Sequence, residues 1–201
     1  ITGAKEFATG VKPIAQFQQS WLGLLASTVD DKTSHTHLDW GVIGAGAGGV
    51  ELVLAMAHRM KGRSDIRFHL LYRTARILPG YPARVVSIAE QKLKEYGVVL
   101  HPNFAVSEIT ESSVVNDLGD DVALSKTIVC TGATGSRWLA TSGLDCTDNN
   151  FIRVNSYLQS TSHPFIFAAG DIAEMLDDPR PKAGVYAVRQ APQLEENLRC
   201  A

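Results

Sequence analysis

Apolar residues change their spacing several times along the chain, and each change predicts a new element. After Pro13 they recur at helical spacing, which predicts an amphipathic helix over about 13–27. The mostly apolar run Leu38–Ile43 predicts a buried strand. Helical spacing returns behind Gly49 and ends near Gly62. This part of the chain is therefore predicted to be a strand, a glycine-rich turn and a helix.

The alternation of strand and helix patterns continues beyond this point. Another strand is predicted at 66–72, followed by an amphipathic helix that ends at Gly97 and a short strand at 98–100. Successive β-α-β units form a parallel sheet with right-handed crossovers, so we expect an α/β, Rossmann-like fold. Shorter elements follow: a small antiparallel meander over about 104–124, strands at 126–130, 152–154 and 165–168, and a helix over about 184–198.

Composition narrows the classes of partner. The 201 residues are 45% hydrophobic and 20% charged, as in ordinary globular proteins. No apolar run approaches the roughly 20 residues that cross a bilayer, so any membrane contact is expected to be peripheral. With a net charge of −2 and no dense cluster of Lys and Arg, the sequence predicts no nucleic-acid partner.

The cysteines, the histidines and the first residues carry further expectations. The three cysteines are widely spaced and form no Cys-x-x-Cys motif, which favours a reducing, cytoplasmic location without disulfides. His35 and His37 lie in a polar linker without other ligand types at metal spacing, so no metal site is predicted. The chain starts at Ile1 without a signal-peptide pattern, and we expect it to be an internal segment of a longer protein.

The strongest chemical signal is a Gly-x-Gly-x-x-Gly motif between the predicted strand and helix. Gly44 allows a tight turn, Gly46 lets a pyrophosphate approach the backbone, and Gly49 lets the helix pack closely on the strand. Gly48 belongs to the same turn, and the helix N-terminus favours an anion. Glu51, just inside the helix, either interacts with the helix dipole alone or lies near the nicotinamide. The motif predicts a dinucleotide site.

The residues after the second strand bear on the choice between NAD and NADP. NAD sites commonly have an acidic residue there, which binds the ribose 2′-hydroxyl, but this chain has Leu71-Tyr72-Arg73. Arg73 and Arg76 suit the 2′-phosphate of NADP, which slightly favours NADP. The alternative is that both arginines are solvated surface charges, and dual specificity stays open.

Three motifs occur in the order found in one known family. They are the glycine-rich turn with Glu51, the segment Thr131-Gly132-Ala133-Thr134-Gly135, and the segment Phe167-Ala168-Ala169-Gly170-Asp171. On these motifs the chain resembles the pyridine nucleotide–disulfide oxidoreductase superfamily nearly from end to end. Segments 11–14 and 181–190 resemble, more narrowly, the group that is fused to or encoded beside selenophosphate synthetase.

The resemblance implies FAD as a second cofactor. Asp171, directly after Gly170, matches the residue that binds the flavin ribityl chain. A helix that begins near Lys182 and Gly184 matches the element whose N-terminus faces the flavin pyrimidine edge, where reduced flavin accumulates negative charge. The segment over residues 131–135, which we call the connecting motif, adds three residues to the expected cofactor site: Thr131, Gly132 and Ala133.

The chain also departs from the family pattern in two ways. Only one Gly-x-Gly-x-x-Gly motif is present, whereas the family has an earlier one for FAD, and paired redox cysteines are absent. We therefore expect residues 1–29 to comprise the end of a flavin-domain segment and a connecting helix. Residues 30–133 are expected to form the NAD(P)-binding domain, and residues 134–201 the C-terminal part of the FAD-binding domain. Cys130 is expected to be a small core residue and not a nucleophile.

These features predict an NAD(P)H-dependent flavoprotein oxidoreductase, in which hydride passes from NAD(P)H to FAD and then to a small-molecule acceptor. A quinone, a selenium compound and a small thiol or disulfide are all compatible with the residues. No catalytic acid, base or nucleophile is predicted. The alternative is a dinucleotide-binding sensing or regulatory module without flavin chemistry. Asp171 favours the oxidoreductase, because such a module has no use for a flavin ligand.

Overall fold

The computed structural model describes residues 1–30, 37–132, 134–180 and 182–200, so His35 and Ala133 lie outside the described residues. The chain forms two compact units, Ile1–Thr131 and Gly132–Ala201. The expected division at residues 29 and 133 concerns which cofactor each part binds, and that assignment stays a prediction.

The first unit alternates helices and strands. Its elements are α1 (Ala4–Phe7), β1 (Ala8–Gly10), α2 (Ile14–Asp30), β2 (Leu38–Ile43), α3 (Ala47–Arg59), β3 (Ile66–Leu71), α4 (Ala83–Glu95), β4 (Val99–His101), β5 (Val106–Ile109), β6 (Ser113–Asn116), β7 (Asp121–Ala123) and β8 (Lys126–Val129). Five strands form a parallel sheet in the order β1-β8-β2-β3-β4. Strands β5, β6 and β7 form a separate antiparallel sheet. The predicted α/β, Rossmann-like fold with a small meander is confirmed.

The parallel sheet is covered on both faces, which explains why its strands are apolar runs without alternation. On one face, Trp40, Val42 and Leu70 pack in the largest core cluster, together with residues of α2, α3 and α4. On the other face, Ile43 and Leu71 pack against the meander. The first unit therefore has three layers: helices, parallel sheet and antiparallel sheet.

Aromatic contacts anchor helix α2 to the central strand. Trp40 of β2 is 1% exposed and makes edge-to-face contacts with Trp21 of α2 and Phe68 of β3. The ring centroids are 6.0 Å and 5.7 Å apart, a range in which aromatic pairs stabilise beyond the area they bury. The amphipathic helix predicted at 13–27 is thus present and packs through its aromatic face.

A line of polar side chains crosses the meander face of the parallel sheet. Asp39 of β2 accepts hydrogen bonds from Arg67 Nε at 2.8 Å and His69 Nε2 at 2.9 Å, both from β3. Because an ionised carboxylate only accepts, His69 Nε2 carries the proton. Its Nδ1 shares a second hydrogen bond of 2.9 Å with His101 Nε2 of β4. Side chains as well as backbone therefore connect these three strands.

The ionisation of this polar line follows from burial and hydrogen bonding. Burial raises the pKa of Asp39, but hydrogen bonds from His69 and Arg67 outweigh it, so the pKa of the carboxyl lies below its usual value. Burial lowers the pKa of His101, and the neighbouring His69 lowers that pKa further. The folded unit therefore favours an ionised Asp39 and a neutral His101.

The second unit has its own small core. Its elements are two short 3-10 helices (Arg137–Thr141 and Gly170–Ile172), β9 (Ile152–Val154), β10 (Ala173–Met175) and α5 (Gly184–Cys200). Strands β9 and β10 pair in parallel. The core comprises Leu139, Ile152, Val154, Leu158, Ala168 and Ala173. Across the described residues of both units, no helix is long and apolar enough to cross a membrane.

The prediction of a strand over 165–168 is wrong, because these residues form no strand. Pro164 and Phe165 lie in a turn, which the Ile166 N–H closes by donating to His163 O at 3.1 Å. Only Phe167 pairs in the extended conformation, as an isolated bridge to residue 159. The apolar run Phe-Ile-Phe-Ala resembled a buried strand, but Phe165 is 86% exposed.

The lowered pKa of His101 makes the stability of the first unit depend on pH. Unfolded, His101 takes up a proton near its ordinary pKa of 6.5, above the pKa of the folded state. Between these two pKa values the unfolded chain binds more protons, so the free energy of unfolding falls as pH falls through that window. We expect His101→Gln to reduce this fall, as measured by urea unfolding from neutral to mildly acidic pH. His163→Gln, in the second unit, is the control, and an equal reduction there would contradict the assignment.

Candidate functional site

The glycine-rich turn lies where the carboxyl ends of three parallel strands meet. It follows β2, and a backbone hydrogen bond connects it to β3: Gly44 N donates to Leu71 O at 2.9 Å. Cys130 N, directly after β8, donates to Ile43 O at 2.9 Å. Ligands of open α/β sheets bind at this edge, outside the carboxyl ends of the strands.

Two of the glycines are required by packing within the protein. Gly44 has a φ of +112°, and a Cβ there would come within 2.5 Å of the Cys130 carbonyl oxygen. A Cβ at Gly49 would lie 1.8 Å from the Gly44 carbonyl oxygen. The first turn of α3 therefore crosses the end of β2 at a distance that no side chain permits.

Gly46 and Gly48 have no such packing reason. Gly46 is exposed with an ordinary φ of −69°, and outside its chain neighbours no described heavy atom lies within 4 Å of an added Cβ. At Gly48 the nearest atom would be Cys130 Sγ at 3.5 Å, an ordinary van der Waals contact. The missing side chains leave the backbone open at the surface, as a close-approaching anion requires.

The N-terminus of α3 is free of competing groups from its own helix. Gly46 is the N-cap residue, no side chain among the described residues caps the helix, and the first turn contains no acidic residue. The first N–H groups of a helix lack intrahelical acceptors and carry a partial positive charge. Glu51 is the fifth helical residue and exposed, so it lies one position beyond the first turn.

Arg73 and Arg76 follow β3 in the loop over residues 72–78, which we call the arginine loop. Tyr72, between the strand and Arg73, is buried, whereas both arginine side chains are exposed. Within the described part of the chain, neither guanidinium makes an ion pair or a hydrogen bond to a side chain. The loop contacts the glycine-rich turn directly, because Leu78 N donates to Ala45 O at 2.8 Å.

Cys130 lies at the end of the first unit, and the connecting motif begins there and continues into the second unit. Burial raises the pKa of the Cys130 thiol, and the nearby Lys12 only partly opposes this, so the thiol is protonated at neutral pH. A protonated, half-buried thiol suits a core residue better than a nucleophile. Thr131 and Gly132 are exposed on either side of the division between the units, whereas Ala133 lies outside the described residues.

In the second unit, Gly170 and Asp171 form a short 3-10 turn against helix α5. Gly170 has a φ of +71°, and a Cβ there would lie 3.0 Å from Ala187 Cβ. Its N–H donates to Gln190 Oε1 at 2.7 Å. Asp171 is half-buried in the same turn, and α5 begins at Gly184. The turn is thus fixed to the helix on one side.

Lys182, just before α5, has partners within its own unit. Its Nζ donates to Glu174 Oε2 at 2.6 Å and to the carbonyl oxygen of Ala173, and it lies 4.3 Å from the ring centroid of Phe151. These contacts satisfy the ammonium group within the protein. The role of Lys182 near a flavin stays a prediction. The predicted role of the α5 N-terminus is separate from it, because that helix begins at Gly184.

Two features of the first unit were not predicted from the sequence. Leu78 connects the arginine loop to the glycine-rich turn, and the line Asp39–His69–His101 connects three strands. Isolated polar residues in otherwise apolar strands were the available signal for the second group. For Leu78 the only signal was the following Pro79-Gly80, a pair typical of a tight turn.

The two kinds of glycine predict different responses to alanine. Gly49→Ala places a Cβ against the Gly44 carbonyl oxygen and should lower the free energy of unfolding by about 3 kcal/mol or more. Gly46→Ala keeps an allowed backbone and meets no described atom, so we expect a change of no more than about 1 kcal/mol. Urea unfolding of both variants tests this, and equal losses would contradict the geometry.

Two curated proteins align with most of the chain. A type II NADH:quinone oxidoreductase of Haemophilus influenzae is 25% identical over 146 residues, covering 67% of this chain and 33% of that protein. Ferroptosis suppressor protein 1 of Taeniopygia guttata is 26% identical over 170 residues, covering 78% of this chain and 44% of that protein. The chain therefore spans between a third and a half of the length of these relatives.

Solved structures share the fold. The water-forming NADH oxidase from Lactobacillus brevis bound to NADH is 26% identical, with a TM-score of 0.70, and the match covers 98% of this chain and 43% of that one. A structure of reduced Bacillus anthracis CoADR-RHD has a TM-score of 0.71 at 21% identity, over 98% of this chain and 34% of that one, which shows the fold alone. Residues 2–191 match the family described as pyridine nucleotide-disulphide oxidoreductase, and the chain belongs to that family.

Proposed function

We propose that this chain carries the nicotinamide-dinucleotide site of an NAD(P)H-dependent flavoprotein oxidoreductase. The observation that carries the proposal is the open backbone at Gly46 and Gly48, in a turn where packing explains Gly44 and Gly49. Packing does not require a glycine at these two exposed positions. Because the chain belongs to this family, we attribute both glycines to a ligand that approaches the backbone.

The first unit would bind the dinucleotide through its backbone and its arginine loop. The backbone N–H groups of Gly46–Gly49 would hold the pyrophosphate, and the partial positive charge at the start of α3 would stabilise it. Arg73 and Arg76 are available for a 2′-phosphate, because neither is engaged by a described side chain. The chain accordingly binds NADP or NAD, with the arginines favouring NADP.

The names of the relatives support a nicotinamide nucleotide as the hydride donor. The Haemophilus protein is named for NADH and quinone, and the Lactobacillus oxidase structure is described as bound to NADH. Both matches cover less than half of those proteins, so the electron acceptor does not follow from them. The acceptor stays a small molecule of unidentified class, with a quinone, a selenium compound or a small thiol or disulfide as candidates.

The second unit would contribute part of a FAD site. Asp171 is half-buried in a turn fixed against α5, as suits a carboxylate that accepts hydrogen bonds from a ribityl chain. The first turn of α5 contains no acidic residue, so its N-terminus suits the electron-rich edge of a flavin. When bound, FAD supplies the acceptor of the hydride. The residues of this chain position and stabilise it, and no acid, base or nucleophile is assigned.

Further parts of the enzyme belong to the same proposal. FAD's adenine and pyrophosphate would be held by another glycine-rich motif outside these 201 residues, since this chain has one such motif. Fusion to, or association with, selenophosphate synthetase is supported only by the resemblance of segments 11–14 and 181–190. A cytoplasmic location likewise rests on cysteine usage.

Arg73 tests the preference for NADP. Arg73→Ala should weaken NADPH binding about 10- to 100-fold, because a hydrogen bond between charged groups contributes about 1.5–3 kcal/mol. NADH binding should change little, since NADH lacks the 2′-phosphate. The control is Arg59→Ala, which removes a guanidinium at the far end of α3. Calorimetric titration of the unaltered chain and both variants with each nucleotide measures the six affinities, and equal losses for both nucleotides in Arg73→Ala would contradict a 2′-phosphate contact.

Asp171 tests the flavin proposal in the full-length protein. We expect that protein to purify yellow, and Asp171→Ala to lower its flavin content several-fold relative to Asp148→Ala, an exposed carboxylate of the same unit. Anaerobic stopped-flow mixing with NADH or NADPH should then bleach the flavin band of the unaltered protein. A colourless full-length protein that binds NAD(P)H would instead favour the sensing or regulatory module.

A further inference from the structure

Leu78 combines a buried side chain with a backbone conformation that leucine rarely adopts. Its φ is +50°, in the left-handed region, and its side chain is 6% exposed in the main core of the first unit. Among described residues other than glycine, the same region holds two asparagines, which tolerate it, and Leu158. Residues held in this region persist where surrounding contacts determine the conformation.

Both backbone groups of Leu78 are hydrogen-bonded. Its N–H donates to the carbonyl oxygen of Ala45, inside the glycine-rich turn, at 2.8 Å. Its carbonyl accepts from the N–H of Tyr81 at 3.1 Å, which closes a turn over Pro79 and Gly80. Gly80 has a φ of +87°, as the third residue of such a turn requires. Leu78 thus connects the glycine-rich turn to the turn that precedes α4.

The other end of the arginine loop is tied to β4 and the residues after it. Tyr72 N donates to His101 O at 3.1 Å, and Phe104 N donates to Tyr72 O at 2.8 Å. Asn103 N donates to Thr74 O at 3.0 Å. Arg73 and Arg76 therefore project from a loop that is anchored at Tyr72–Thr74 and again at Leu78.

We propose that Leu78 is a positioning residue of the nucleotide site: it locks the loop bearing Arg73 and Arg76 against Ala45, next to the pyrophosphate turn. This inference rests on the proposed function. A loop with two exposed guanidinium groups and no second anchor would have to be ordered at each binding event, which costs affinity. With Leu78 in place, the arginine loop is already ordered before the nucleotide binds, so both arginines are positioned for the 2′-phosphate.

The inference distinguishes Leu78 from an ordinary core leucine. Leu78→Ala removes the buried side chain, so we expect the backbone to leave the left-handed region and the hydrogen bond from Leu78 N to Ala45 O to open. Leu78→Met keeps a buried apolar side chain of similar volume and should preserve the loop. Two further variants are controls. Leu93→Ala creates a cavity in the same core away from the loop, and Leu158→Ala makes the same change at a left-handed leucine of the second unit.

Two readouts on the 201-residue chain test the proposal. The first is hydrogen exchange at the amide of residue 78 without nucleotide, which Leu78→Ala should accelerate about 10-fold or more relative to Leu93→Ala. The second is the ratio of NADPH to NADH affinity, which Leu78→Ala should lower about 5-fold or more. Leu78→Met should restore both values, and Leu93→Ala and Leu158→Ala should leave the affinity ratio unchanged.

The outcomes separate this inference from the proposed function. If the unaltered chain prefers NADPH and Leu78→Ala changes the ratio no more than Leu93→Ala, the inference is wrong while the proposed function stands. If the unaltered chain binds neither nucleotide, the proposed function is overturned and the positioning role with it. Equal binding of NADPH and NADH by the unaltered chain would overturn the 2′-phosphate role of the arginine loop, and hence this inference.

Discussion

The close crossing of helix α3 over the end of β2 is the constraint on which the rest of the first unit depends. At Gly49 the backbone approaches the Gly44 carbonyl so closely that even one methyl group would lie within 1.8 Å of the oxygen. This approach brings the start of α3 to the carboxyl edge of the parallel sheet. It also places Ala45 where the arginine loop can bond to it through Leu78. One steric requirement thus sets the position of the helix N-terminus and the attachment of the neighbouring loop.

The layers around the sheet hold that edge in place. Helices α2, α3 and α4 cover one face through a continuous apolar core, and the meander covers the other. The line from Asp39, near the start of β2, through His69 to His101, at the end of β4, crosses the sheet diagonally and links β2, β3 and β4 with directional bonds. Apolar burial supplies most of the stability, whereas the polar line adds hydrogen bonds whose geometry fits one relative position of the three strands.

Much of this organisation could be predicted from the sequence because it follows from local patterns. Strands β2 and β9 match their predicted bounds, and the turn after β2 is where the spacing of its glycines indicates. The features that could not be predicted depend on contacts between residues far apart along the chain. Strand β1 exists because Ala8–Gly10 pairs with β8, far along the chain. The left-handed Leu78 is held by its bond to Ala45. No local pattern encodes these contacts.

The central claim is that the open backbone of the glycine-rich turn binds a pyrophosphate-containing dinucleotide. Mapping amide chemical shifts while NADPH is added to the chain tests it most directly. We expect the largest shifts at Gly46–Gly49, with a second group at residues 73–76, and saturation at a single affinity. Absence of shifts at Gly46–Gly49, or shifts confined to the unit Gly132–Ala201, would contradict it.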